Sequence, residues 1–140
     1  MCSSDLSASH VVLVAFEPED ESPIVQLRLR KAVRRGRTHV TAVTSHTTEG
    51  LYKLNASIVT AQPGAEVAAL SDADIDANTI VLVGERAATV PGLLSALTTL
   101  CSESGAKLAW VPRRAGERGA IDAGLMPGVL PGGQIGRAHV

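Results

Sequence analysis

The sequence predicts an α/β domain built on a mainly parallel sheet with helices on both faces, and three observations carry that reading. Short aliphatic runs recur along the chain: VVLVAF from Val11 to Phe16, HVTAVT from His39 to Thr44, TIVLV from Thr79 to Val83 and KLAWV from Lys107 to Val111. Each is too short for a stable helix and rich in β-branched or aliphatic residues, as expected of strands buried on both sides. Stretches of helical period alternate with these runs. Start and stop residues then punctuate the helical stretches, with Pro near the first turn and Gly just beyond the last.

Taken in order, the strand from Val11 to Phe16 is followed by an acidic loop, Glu17 to Glu21. Ser22 is the expected N-cap of the next helix, Pro23 its first residue and Gly36 its stop. Val25, Leu29, Ala32 and Val33 recur at helical spacing, and Ile24 and Leu27 are expected to widen that stripe. A right-handed crossover then leads to the strand at His39. Thr47 to Asn55 reads as a polar turn and Ala56 to Thr60 as a small strand. Gln62, Pro63 and Gly64 make a turn that launches a short helix through Ala65, Val67 and Leu70. Asp72, Asp74 and Asp76 mark a solvated connection to the strand at Thr79. Beyond it, Pro91 starts and Gly105 stops a helix with Leu93, Leu94, Leu97, Leu100 and Cys101 on one face. Lys107 to Val111 closes a Rossmann-like series. Past Pro112 the chain is Gly, Pro and Arg punctuation, expected to be loop that packs on parts of a larger protein.

The two ends read differently. Residues 1–6, MCSSDL, can be encoded by GTG TGC TCT TCC GAT CT, and residues 134–140, QIGRAHV, by an AG-ending Gln codon followed by ATC GGA AGA GCA CAC GTC. These strings are reverse complements, as a short-read sequencing adapter read through in frame would be, so both ends are expected to be artefacts and are set aside. One partial domain is expected over residues 7–133, with its natural start and stop missing. The net charge of -1 gives no nucleic-acid or membrane-surface signal. No apolar run approaches the ~20 residues needed to cross a bilayer, and no signal peptide is present. With Cys2 in the set-aside end, Cys101 is the one native thiol, which excludes an internal disulfide and a multi-cysteine cluster or zinc site within this piece.

In open α/β sheets, ligands bind beyond the carboxyl ends of the strands. Three loops are expected there: Glu17 to Glu21, Gly84 to Arg86, and Arg113 to Gly119. The first carries Glu17, Glu19, Asp20 and Glu21, which suit a helix N-terminus and repel a phosphate. Neither a G-x-G-x-x-G nor a G-K-[ST] motif occurs. Glu17 and Glu21 as an acid and base pair is the chemical reading, and a helix-capping acidic turn is the favoured one. Arg86, Arg113, Arg114 and Arg118 are expected to neutralise this loop. The run Arg28, Arg30, Lys31, Arg34, Arg35 and Arg37 lacks neighbouring aromatics and reads as a solvated helix side, not a nucleic-acid surface. Cys101 is expected in the core. His10, His39 and His46 lack metal-ligand spacing. No catalytic residue and no metal ligand is assigned.

The same residues carry a family resemblance over nearly all of residues 7–133. The strand followed by EPEDESPIVQLRLRKAVRRG resembles a segment of the molybdopterin oxidoreductase superfamily in which a strand, an N-P turn and a Pro-started helix lead to a second strand. PGAEVAAL resembles its P-G-T-D-x-A-L, and RGAIDAGLMPG its Q-G-A-x-D-M-G-x-x-P loop. ESPIVQLRLRKAVRRG, VGERAATVPG and LAWVPRRAGERGAIDAGLMPGVLPGG are more closely similar to the family of the large iron-sulfur subunit (the G subunit) of actinobacterial NADH-quinone oxidoreductase, complex I.

The resemblance implies part of a molybdopterin-oxidoreductase-like domain, with vestigial cofactor positions at Glu17, Thr44, Ser45, His46, Glu66 and Asp122. Glu17 stands where molybdoenzymes have Asn. Thr44, Ser45 and His46 replace an Asp-Pro-Arg that helps hold the guanosine, and Glu66 falls in the altered P-G-T-D. These departures oppose dinucleotide binding. The resemblance therefore implies a scaffold without molybdenum in the peripheral arm of an enzyme that passes electrons from NADH to quinone and translocates protons. No cofactor is expected in this piece, and the parent's iron-sulfur clusters would be held by cysteines upstream. Expected partners are other peripheral-arm subunits and the rest of the same subunit, at the cytoplasmic side of the membrane, with no nucleic acid and no direct membrane insertion. The alternatives are a fragment of a molybdopterin guanine dinucleotide oxidoreductase, such as a formate dehydrogenase or nitrate reductase relative, and an unrelated nucleotide-binding module.

Overall fold

The computed structural model describes residues 8–114 and 116–124. Both artefact-like ends, and the tail after Gly124, lie outside the described residues. Five strands, β1 (His10–Val14), β2 (His39–Thr44), β3 (Ser57–Thr60), β4 (Thr79–Val83) and β5 (Lys107–Trp110), form one sheet in the order β3-β2-β1-β4-β5. Every neighbouring pair is parallel, in a register that sets His10 beside both His39 and Thr79. The connections hold α1 (Pro18–Glu21), α2 (Pro23–Arg34), α3 (Glu49–Lys53), α4 (Glu66–Ala69) and α5 (Leu93–Ser104), and α6 (Glu117–Asp122) follows β5.

Alternation along the strands divides the core in two. Val12, Val14, Val81 and Val83 point to one face, where Leu70, Leu93, Leu97 and Cys101 cover them. Val11, Leu13, Val40 and Leu82 point to the other, against Val25, Leu29, Leu51 and Leu54 from α2 and α3. Removing each of these large side chains from water contributes about 1.5–3 kcal/mol before ordering entropy is subtracted. The expected α/β class with helices on both faces is what the chain forms, and its sheet is parallel throughout.

Local chemistry explains the element ends. Ser22 is the N-cap of α2, with Pro23 in the first turn, though its side chain makes no capping hydrogen bond. Gly36 beyond α2 and Gly105 beyond α5 take φ of 62° and 76°, which glycine adopts without steric cost. Gln26 Nε2 donates to the Gly50 carbonyl at 3.0 Å and ties α2 to α3.

Several expectations are corrected. Ile24 and Leu27 do not widen the buried stripe of α2: they are 59% and 60% exposed, because 100° per residue turns them away from Leu29. Leu94 likewise leaves the buried face of α5 and is exposed. The acidic loop contains α1, for which Glu17 is the N-cap and Pro18 opens the first turn. The polar stretch after β2 contains α3, capped by Thr48, whose hydroxyl accepts from Leu51 N at 3.2 Å. The first strand ends at Val14, two residues early, because Ala15 turns into the left-handed region at φ 49°. Beyond Pro112 the chain is not all loop, since Gly116 leads into α6.

Candidate functional site

The connection after β1 runs to β2 on one side, and that after β4 runs to β5 on the other. Chain direction across the sheet therefore reverses between β1 and β4, where a crevice forms beyond the carboxyl ends of the strands. A cleft of about 380 Å³ opens there. Its walls come from Phe16 and Glu17 after β1, Thr44 to His46 at the end of β2, Arg86, Thr89 and Val90 after β4, and Arg113 after β5.

Two close approaches shape it. Gly84 ends β4 against β1: its N–H donates to the Val14 carbonyl at 3.1 Å, and a Cβ at this position would run into the Ala15 carbonyl oxygen. At Gly50 in α3, a Cβ would lie 2.5 Å from Glu17 Oε1. Both positions are glycine because backbone and carboxylate occupy the space a side chain would need.

The carboxylates face inward and are held by the protein itself. Glu17 Oε2 accepts the Thr48 hydroxyl at 2.5 Å, and Oε1 accepts the Glu19 N–H at 3.4 Å. Glu21 Oε1 accepts the Glu17 N–H at 2.9 Å and Arg86 Nη2 at 3.2 Å, with the Glu21 side chain 7% exposed. Glu21 Oε2 and Glu66 Oε2 are buried acceptors without a donor. Two amides of the turn after β1, where a pyrophosphate binds in dinucleotide-binding sheets, are thus already bonded to the carboxylates of Glu17 and Glu21. Two orphaned acceptors add negative potential where phosphates would sit. A molybdopterin guanine dinucleotide, the group held by enzymes of the resembled superfamily, does not fit this edge. Glu17 and Glu21 are instead engaged structurally, Glu17 as the cap of α1 and Glu21 as the ion-pair partner of Arg86.

Of the positions singled out by resemblance, Glu17, Thr44, Ser45, His46 and Glu66 line the cleft together. Asp122 lies in α6, ion-paired with Arg118 at 3.3 Å, and is not among the lining residues. Thr44 donates its hydroxyl to the His46 carbonyl at 3.2 Å, and Ser45 Oγ lies 3.1 Å from His46 Nδ1. The arginines divide. Arg86 does pair with the acidic loop and Arg113 lines the cleft, whereas Arg114 pairs with Glu85 at 3.4 Å and Arg118 with Asp122. Within the acidic loop, Glu19 is bound by Lys53 of α3 at 2.6 Å, a partner that no local pattern in the sequence announces.

At the opposite end of the sheet lies a cluster that sequence reasoning missed. His10 and His39 begin neighbouring strands in register, and their rings stack with centroids 5.6 Å apart. His10 Nε2 lies 2.9 Å from the Thr41 hydroxyl, and Thr79 donates its own hydroxyl to Asp76 at 2.7 Å. Burial first, then the neighbouring His39, lowers the His10 pKa below 6.5. Asp76 is lowered too, chiefly by the Thr79 hydroxyl. Cys101 is buried, and burial pushes its thiol pKa up, which disfavours the reactive thiolate. Among the described residues, no group of three or more His, Cys, Asp or Glu is arranged to hold a metal ion, and no helix is long and apolar enough to cross a membrane.

No protein-family model matches the chain. Curated proteins do. The chain is 51% identical over 147 aligned positions to the G subunit of NADH-quinone oxidoreductase from Mycobacterium bovis, an alignment that covers 96% of this chain and 18% of that protein. The protein of the same name in Mycobacterium tuberculosis gives the same figures. The one in Streptomyces coelicolor is 41% identical over 143 positions, covering 91% of this chain and 17% of its own length. The chain spans less than a fifth of the length of the curated relatives it matches, and it is similar to one segment of these actinobacterial proteins, as its motifs led us to expect.

Proposed function

We propose that this chain is a segment of the large iron-sulfur subunit of a NADH-quinone oxidoreductase, folded as part of a molybdopterin-oxidoreductase-like domain that serves as a scaffold. The observation that carries the reading is 51% identity over 96% of the chain to the mycobacterial G subunits of that enzyme. The parent complex passes electrons from NADH through iron-sulfur clusters to quinone and couples this to proton translocation. The clusters belong to cysteine-rich parts of the subunit upstream, and this segment contributes no redox centre of its own. The self-capped carboxylates of the strand edge support the scaffold role, because they close the place where a dinucleotide would bind. Partners are the remainder of the subunit and other peripheral-arm subunits, on the cytoplasmic side of the membrane.

The test is to tag the full coding region at its own locus and purify the product. Recovery with NADH-quinone oxidoreductase subunits and NADH-dependent quinone reduction, with molybdenum at background by elemental analysis, is the expected result. Stoichiometric molybdenum without those subunits would replace this reading by a molybdopterin guanine dinucleotide oxidoreductase.

A further inference from the structure

We propose that β5 is an internal strand of a larger sheet, paired along its free edge with a further strand from the part of the polypeptide outside these 140 residues. The inference rests on the reading of this chain as a segment of a longer subunit and names where the rest of that subunit docks.

Backbone direction supplies the first argument. In a parallel strand the N–H and C=O of one residue point the same way, and successive residues alternate. Val111 N–H donates to the Val83 carbonyl at 2.9 Å, so Lys107, Ala109 and Val111 face β4. Leu108 and Trp110 turn their amides and carbonyls outward. Among the described residues, no strand pairs with that side.

The two edges of the sheet differ in their side chains. On β3 the exposed residues are the polar Ser57 and Thr60, while Ile58 and Val59 pack into the two cores. On β5, Leu108 is 41% exposed and Trp110 half-buried, and neither belongs to a core cluster. Leu94 of α5, the helix that packs against β5, is 45% exposed. Edges meant for water carry charge, proline or a bulge. The edge of β5 carries Lys107 at its start and Pro112 just past its end, with no charge, proline or bulge at Leu108 or Trp110 between them. A tryptophan and two leucines beside unpaired backbone instead suit an extended partner with apolar side chains, and strand order 3-2-1-4-5 grows naturally on the β5 side. The relatives have ample chain to supply it, since this segment aligns to 18% of their length.

Hydrogen exchange resolved to single residues of β5 tests the proposal, in the full polypeptide purified with its complex and in the 140-residue chain. In the full polypeptide, the Leu108 and Trp110 amides should exchange at least about tenfold more slowly than in the short chain. Ala109 and Val111, bonded to β4, report that the sheet is intact in each. Fast exchange at Leu108 and Trp110 in the full polypeptide, with Ala109 protected, overturns the proposal. So does protection already complete in the short chain, which would place the occupant within these residues or in a second copy. If the full polypeptide purifies without NADH-quinone oxidoreductase subunits yet protects both amides, the functional reading fails and the strand pairing stands.

Discussion

At the scale of single residues, the cleft is organised by Glu17, whose carboxylate joins α1 to α3 through the Glu19 amide and the Thr48 hydroxyl. Glu17→Ala leaves both donors without their acceptor and should cost about 1–3 kcal/mol, read from a denaturant midpoint. Arg86→Glu sets like charge against Glu21. Because Arg86 is more than half exposed, the loss should be larger at low salt than at high, and a melting temperature that ignores the change would reject the pairing. Gly84→Ala should cost about 1–3 kcal/mol or more, since β1 and β4 must part to admit the methyl group.

His10 sets a pH dependence. Its folded-state pKa lies below the ordinary 6.5, so the folded protein takes up this proton less readily than the unfolded chain. The contribution of His10 to stability is therefore full above about pH 6.5 and is lost as pH falls toward the lowered folded value. The groups around it are His39, Asp74 and Asp76. Denaturation at a series of pH values should show this loss in the parent and a smaller one in His10→Gln.

At the scale of elements, the sequence was most legible where one physical signal acted alone. β2 and β4 run between the residues expected from their aliphatic composition. Fully buried parallel strands leave little else to choose from. α2 was legible in its ends but not in its face: Ile24 and Leu27 suggested a broader buried stripe than the sheet covers. α1 and α3, of four and five residues, were missed because a single turn has no period to detect. Their caps, Glu17 before Pro18 and Thr48 before Glu49, emerge only from the structure. The cleft followed the same rule. Strand ends foretold where it opens, but the contacts among Glu17, Thr48 and Gly50 arise between segments about thirty residues apart, beyond any local pattern. The stacked histidines required the register of β1 against β2. One prediction belongs here: Leu82→Asp buries a carboxylate between β1 and β5 and should abolish folding, and an unfolding transition retained in Trp110 fluorescence would contradict the central place of β4.

For the whole molecule, the sheet is closed in its middle and unfinished on one flank. Leu108→Lys should leave the short chain as stable as before, within about 0.5 kcal/mol, because the side chain already meets water. In the full polypeptide the same change should lower recovery of the assembled complex, measured by co-purification.

The strand order also sets a timetable. β2 is the next strand of the chain after β1, but the other neighbour of β1, β4, begins 69 residues after it. At about 5–20 residues per second, a ribosome takes roughly 3–14 s to deliver that partner. Throughout this interval the edge of β1 that β4 covers, with its run of Val and Leu, should lack its partner outside the exit tunnel. Nascent chains of this kind should therefore depend on trigger-type chaperones until β4 emerges.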